Sequence, residues 1–248
     1  MGRGAFRRGG HSRVFHYYCW LFGREPWLVC RRLTFLRKCI VPFNIQESDF
    51  RTSAAHLGQM AAPLLPEVAF VGRSNVGKSS LLNFLFRRKN LVKVSNTPGR
   101  TRLINIFDVR VQNQEAESSE SRDFVWVDLP GYGYAKMSKK LKHEISDMLA
   151  EYLGARQGLY AVCQLFDLRH QPTAEDREVF QTLSMRGFQV IIVATKADKL
   201  ALSKRKPARI KLAKALGVEM RQVVLTSSEA DIGRQDLLAK IWKACVAD

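Results

Sequence analysis

One segment constrains the fold more than any other. The apolar run Val68–Val71 passes directly into Gly72-Arg73-Ser74-Asn75-Val76-Gly77-Lys78-Ser79, and a helical pattern, Lys78–Phe86, begins inside that turn. A strand, a turn of GxxxxGKS spacing and a helix joined in this way build one kind of object. The two glycines let the backbone curl so that successive N–H groups converge. The helix N-terminus adds its partial positive charge to the same point. The concavity suits a polyphosphate. Lys78 would reach the β- and γ-phosphates, and the Ser79 hydroxyl would hold Mg²⁺.

The rest of the chain alternates in the way such a unit requires. Strand patterns lie at Leu103–Val111, Phe124–Val127, Tyr160–Phe166, Phe188–Ala194 and Gln222–Thr226. Helical patterns lie at Lys139–Leu153, Ala174–Met185, Lys204–Leu216 and Asp236–Val246. With Val68–Val71 this predicts an α/β fold: a mostly parallel six-stranded sheet with helices on both faces. The polar stretch Gln112–Arg122 reads as an exposed hairpin loop. Pro63 and Pro66 bracket a short linker, so residues 1–62 are read as an N-terminal extension and 63–248 as the domain.

Charge separates the same two parts. Of 248 residues, 40 are Lys or Arg and 23 Asp or Glu, a net charge of +17. Arg-rich, acid-poor residues 1–46 carry a single acid, Glu25. That is the composition of an organelle-targeting segment, or of a nucleic-acid arm. Gly2 lacks the Ser or Thr that myristoylation favours four residues on. No apolar run approaches the length of about 18 residues that a spanning helix needs. His11, His16 and Cys19 lie close together but lack further ligands for a metal site. The five scattered cysteines form no CxxC pair and fit a reducing compartment.

Three later elements narrow the ligand. Asp128-Leu129-Pro130-Gly131 follows a strand; its acid can hold Mg²⁺ through water, and the Gly131 N–H can sense a γ-phosphate. Thr195-Lys196-Ala197-Asp198 follows another strand. The Asp198 carboxylate can accept from both N1–H and N2–H₂ of guanine, whereas adenine would leave it unpaired. Lys196 can lay its aliphatic stem over the base. Thr226-Ser227-Ser228 can offer backbone N–H to guanine O6. Between the phosphate loop and Asp128 lies Asn96-Thr97-Pro98-Gly99-Arg100-Thr101-Arg102, where a threonine could close over Mg²⁺ and the γ-phosphate.

With these elements in this order, the chain resembles the EngB family of ribosome-assembly GTPases, in the Era-like branch of the P-loop GTPases. The resemblance covers roughly 66–247. It is carried by GRSNVGKSSLLN (72–83), SNTPGRTRLINIF (95–107), VDLPGYGYAKMSK (127–139), DLRHQPTAED (167–176) and TKADKL (195–200). It implies that Gly72, Asn75, Val76, Gly77, Lys78, Ser79 and Ser80 wrap the phosphates. Thr101 would be the switch I threonine. Asp128 and Gly131 would open switch II. Thr195, Lys196, Asp198, Ser227 and Ser228 would hold guanine. Ser79, Thr101 and Asp128 would hold Mg²⁺. The leader is longer and more basic than expected for bacterial members, which points to an organellar one.

The expected activity is slow, Mg²⁺-dependent hydrolysis of GTP to GDP and phosphate, with Lys78, Thr101 and Asn75 as the catalytic set. The expected role is in assembly of the large ribosomal subunit, with its precursor, rRNA and assembly factors as partners. The expected location is the mitochondrial matrix, with plastid and cytoplasm as alternatives; no membrane partner is expected, and a monomer is expected off the ribosome. Basic residues Arg100, Arg102, Lys136, Lys139, Lys140 and Lys142 flank the switches and suit rRNA. Tyr132 stands where many GTPases place a water-orienting glutamine. This keeps a non-enzymatic GTP-dependent scaffold open, beside a cytosolic factor supporting division. Asn75 could supply a carboxamide oxygen to K⁺ against the phosphates, or could only hydrogen-bond its own loop.

Overall fold

The computed structural model describes residues 43–92, 103–115, 118–133 and 139–246, the side chains at 115, 118, 139–142, 144, 146 and 246 excepted. The leader up to residue 42, Arg100, Thr101, Arg102 and Lys136 lie outside the described residues, as do the side chains of Lys139, Lys140 and Lys142.

Among the described residues, seven strands form one sheet: β1 (Phe43–Ala54), β2 (Glu67–Gly72), β3 (Ile104–Glu115), β4 (Ser118–Asp128), β5 (Leu159–Asp167), β6 (Gln189–Thr195) and β7 (Val223–Leu225). Among the described residues, five α-helices accompany them: α1 (Lys78–Phe86), α2 (Lys139–Ala155), α3 (Ala174–Met185), α4 (Leu202–Leu216) and α5 (Arg234–Val246). The order across the sheet is β1-β3-β4-β2-β5-β6-β7. β4, β2, β5, β6 and β7 run parallel, while β1 and β3 are antiparallel to their neighbours. No helix among the described residues is long and apolar enough to cross a membrane.

The central strands β2, β5 and β6 are largely buried on both faces, so they read as nearly continuous apolar runs. Along β2, Ala69 and Val71 join a core with Ile106, Val127, Leu149, Tyr152 and Leu183, under α2 and α3. Phe70 turns to the opposite face, where its ring lies 5.1 Å from that of Trp126. Phe86 of α1 stacks on Trp126 and Phe107 at 5.3 and 5.4 Å. α4 covers the far edge through Leu212 and Ala213 against Ile192, Ala194 and Val223.

Two expectations are corrected. The sheet has seven strands, because Phe43–Ala54 pairs antiparallel with β3 from Phe43↔Asn113 to Ala54↔Ile104. Residues 43–54 therefore belong to the domain, and its boundary lies well before residue 63; the compact unit runs from Pro42 to Asp248. The strand escaped notice because it is a polar edge: only Phe43, Ser48 and Ala54 along it are buried. Ladder hydrogen bonds and anchoring at its start hold it instead. Gln235 of α5 accepts from the Phe43 N–H at 2.7 Å and donates to the Phe43 carbonyl at 2.9 Å. Two register shifts and charged side chains blunt the outer edge.

Second, Gln112–Arg122 is mostly ladder rather than loop, since β3 and β4 stay paired out to Glu115↔Ser118. Cross-strand polar pairs replace the apolar alternation that would have revealed it. Gln112 donates to Ser119 at 2.7 Å, and Arg110 forks onto Asp123 at 2.7 and 3.1 Å.

Candidate functional site

The C-terminal ends of β2, β4, β5, β6 and β7 open on one edge of the sheet. β2 has β4 on one side and β5 on the other, so the chain leaves it at a topological switch point, where open α/β sheets bind ligands.

The loop after β2 needs its glycines for different reasons. A Cβ at Gly72 would come within 2.9 Å of Val76 and 3.1 Å of the Leu165 carbonyl. Gly77 sits at φ +103°, a conformation that side chains rarely adopt. Asn75 takes φ 62°, as asparagine can in tight bends. No side chain caps α1, whose N-cap is Gly77, so its first amides face the loop. Lys78 and Asp128 are both buried, and the Lys78 ammonium donates to the Asp128 carboxylate. Asn105 of β3 reaches the other Asp128 oxygen at 3.4 Å.

The second half of the site lies after β6 and β7. Gly77, Thr195, Lys196, Asp198, Ser227 and Ser228 line one cavity of about 150 Å³. Asp198 accepts from the Ser227 hydroxyl at 2.6 Å and faces the Lys199 ammonium at 3.1 Å. The Ser227 bond first, then Lys199, hold the Asp198 carboxyl below its ordinary pKa, against the opposing effect of burial. It stays an ionised acceptor, as guanine recognition requires. Ser227 is itself fixed by the Ala230 N–H at 3.0 Å.

Thr195 lines this cavity, and its hydroxyl is engaged by backbone carbonyls. The oxygen lies 2.6 Å from the Val76 carbonyl and 3.1 Å from that of Phe166. Having one proton, it donates to the nearer, tying the base-binding loop to the phosphate loop. Lys196, at φ 59°, makes a second tie: its ammonium donates to the Asn75 carbonyl at 2.6 Å. The site is thus one construction, with the aliphatic stem of Lys196 spanning it.

Sequence reasoning gave no role to Asp167, at the end of β5. Its carboxylate lies 3.1 Å from the Lys196 ammonium and receives an Arg169 fork at 2.9 and 2.7 Å. Burial alone would raise its pKa; the Arg169 side chain and N–H, then Lys196, outweigh that and hold it at about 2. Asn105 and Asp176 were also missed. Asp167 and Asp176 lie within the DLRHQPTAED stretch that carries the resemblance, yet only their contacts give them roles. Thr101 lies outside the described residues.

A phosphate loop, a strand-end aspartate bonded to its lysine, and a base pocket closed by Asp198 define a guanine-nucleotide-binding P-loop protein. The profile of the family described as "50S ribosome-binding GTPase" matches residues 67–196. The "Probable GTP-binding protein EngB" of Desulfatibacillum aliphaticivorans is 40% identical over 204 residues, covering 82% of this chain and 94% of that protein. That of Gemmatimonas aurantiaca is 46% identical over 179 residues, covering 72% and 82%. Among solved structures, an Aquifex aeolicus Era bound to GDP and aluminium fluoride is similar at TM-score 0.55 and 26% identity, covering 73% of this chain and 57% of that one. A crystal structure of an engB protein is similar in fold, at TM-score 0.53 and 18% identity, over 72% and 98%. The chain belongs to the EngB family of GTP-binding proteins, and it is a GTPase.

Proposed function

We propose that the protein is a large-subunit assembly factor of an organelle, the mitochondrion in the first instance, whose docking is timed by GTP. The family match to 50S ribosome-binding GTPases over residues 67–196 carries the reading. The net charge of +17 and the basic residues around the switches support a phosphate-rich partner. Residues 1–46, with nine basic residues against one acid, support import.

The site suits a magnesium-bound triphosphate. The donors Ser79, Asp128 and Thr101 are hard oxygens, which Mg²⁺ prefers. Asp128 is 1% exposed and already bonded to the phosphate-loop lysine, so its charge is aimed at the phosphate end. The ion would neutralise charge on the β- and γ-phosphates. Lys78 would exchange the Asp128 carboxylate for phosphate oxygens, and the amides at the start of α1 would hold the remainder. Tyr132 is 4% exposed and its hydroxyl is engaged elsewhere, so it does not orient an attacking water. Slow intrinsic hydrolysis follows, raised by the docked particle and by K⁺ at the Asn75 carboxamide, an exposed side chain beside Gly77.

The test is co-sedimentation with organellar large-subunit precursors. The protein with a non-hydrolysable GTP analogue should travel with the particle and the GDP form should not. If about five basic side chains contact phosphates, raising salt from about 50 to 200 mM should weaken binding by about two to three orders of magnitude. Binding indifferent to nucleotide and salt would refute the proposal. A reporter fused to residues 1–46 should enter the organelle; a diffuse cytosolic reporter would refute the location.

A further inference from the structure

The three residues that follow Pro130 are each held in place by a different contact. A Cβ added to Gly131 would meet the backbone N and Cα of Ser74 at 3.1 Å, so that glycine lies flat against the phosphate loop. Tyr132 forms a parallel bridge to Arg73. Its N–H donates to the Gly72 carbonyl at 3.3 Å, and its carbonyl accepts from the Ser74 N–H at 2.9 Å. Gly133, at φ +70°, accepts at 3.1 Å from the Arg73 guanidinium. A Cβ there would strike Glu175 and Arg73 at 2.6 and 2.9 Å.

The Tyr132 side chain runs inward. Its hydroxyl donates to Asp176 Oδ1 at 3.0 Å and accepts from the Gln164 amide at 3.3 Å. That amide also donates to the Asp176 carbonyl at 2.9 Å. Asp176 cannot drift, since its other oxygen accepts from the Thr173 N–H and hydroxyl, each at 2.9 Å, in the capping box of α3. Burial, then the Asp176 carboxyl, raise the phenol pKa, so the hydroxyl keeps its proton and remains a donor at any working pH.

We infer that Tyr132 is a positioning residue for GTP: it pins the Gly131 amide beside the phosphate loop, with Asp176 on the first turn of α3 as its anchor. The inference rests on Gly131 being the γ-phosphate contact. A diphosphate does not reach that amide, so loosening it should cost triphosphate binding and hydrolysis while sparing GDP. A general structural role would affect both nucleotides alike.

The experiment measures affinities for GDP and for a non-hydrolysable GTP analogue, with single-turnover hydrolysis of GTP, in full-length wild type, Tyr132→Phe, Asp176→Ala, the double variant and Gly131→Ala. Tyr132→Phe removes one oxygen and keeps the ring. Its triphosphate affinity relative to GDP should fall about tenfold to a hundredfold, the size of one buried hydrogen bond to a charged partner. GDP affinity should stay within about twofold, and hydrolysis should slow. Asp176→Ala should move the ratio the same way, and the double variant no further than the worse single. Gly131→Ala should lower the ratio at least as much. An unchanged ratio in Gly131→Ala would remove the γ-phosphate contact and the inference with it. A lowered ratio there beside unchanged ratios in Tyr132→Phe and Asp176→Ala would overturn the role of Tyr132 alone, as would equal losses for both nucleotides.

Discussion

Asp198→Asn should convert the base preference. The carboxylate is built as a two-fold acceptor: Ser227 at 2.6 Å and Lys199 at 3.1 Å hold it ionised at the rim of the pocket. Guanine presents two donors to it. The variant keeps an oxygen for N1–H but turns an NH₂ toward the guanine amino group, so one hydrogen bond is lost and two donors collide. The lost charge-assisted bond contributes about 1.5–3 kcal/mol, so GTP should bind at least about 10- to 10²-fold more weakly. Xanthine carries a carbonyl where guanine carries the amino group, and the new amide can donate to it. The fold should survive, because an asparagine oxygen still accepts from Ser227 and Lys199 is largely exposed. Competition of GTP, XTP and ATP against a fluorescent guanine nucleotide, then against a fluorescent xanthine nucleotide, reads the change. Undiminished preference for GTP would show that the base sits elsewhere.

Lys78→Ala and Ser79→Ala should each lower GTP affinity in Mg²⁺ buffer by at least about tenfold, and wild-type affinity in both would refute the phosphate-loop assignment. Lys78→Ala should also lower thermal stability, because Asp128, 1% exposed, loses the ammonium bonded to it. Arg156→Ala should cost about 3 kcal/mol, since it strands Glu67, which is 1% exposed and receives an Arg156 fork at 2.9 and 2.7 Å. In a domain of this size that lowers Tm by about 6–12 °C, and a shift below about 2 °C would show that the pair is not buried in solution. GTP hydrolysis should be faster in KCl than in NaCl at equal ionic strength, and Asn75→Ala should abolish the difference; equal rates in wild type would exclude the cation.

What could be read from the chain follows from where the signals are local. The phosphate loop declares itself because strand, glycines, lysine and serine must follow one another within a few residues. The guanine pocket is nearly as plain, since β6 delivers Thr195, Lys196 and Asp198 together. Strand β1 was not legible, for a polar edge strand buries too little to leave a period of two. The outer half of the β3–β4 hairpin reads as a loop because hydrogen-bonding side chains replace apolar ones along its ladder. The ties between loops were also hidden. Tyr132 meets Asp176 across 44 residues, and Lys196 meets Asn75 across 121, so only the fold pairs them.

If this GTPase works on the large ribosomal subunit, as we propose, hydrolysis itself reports it. In single-turnover assays with full-length protein, immature organellar large subunits should accelerate GTP hydrolysis at least about tenfold over the protein alone, and small subunits should not. Rates unchanged by the large-subunit particle, or raised equally by both subunits, would contradict the account.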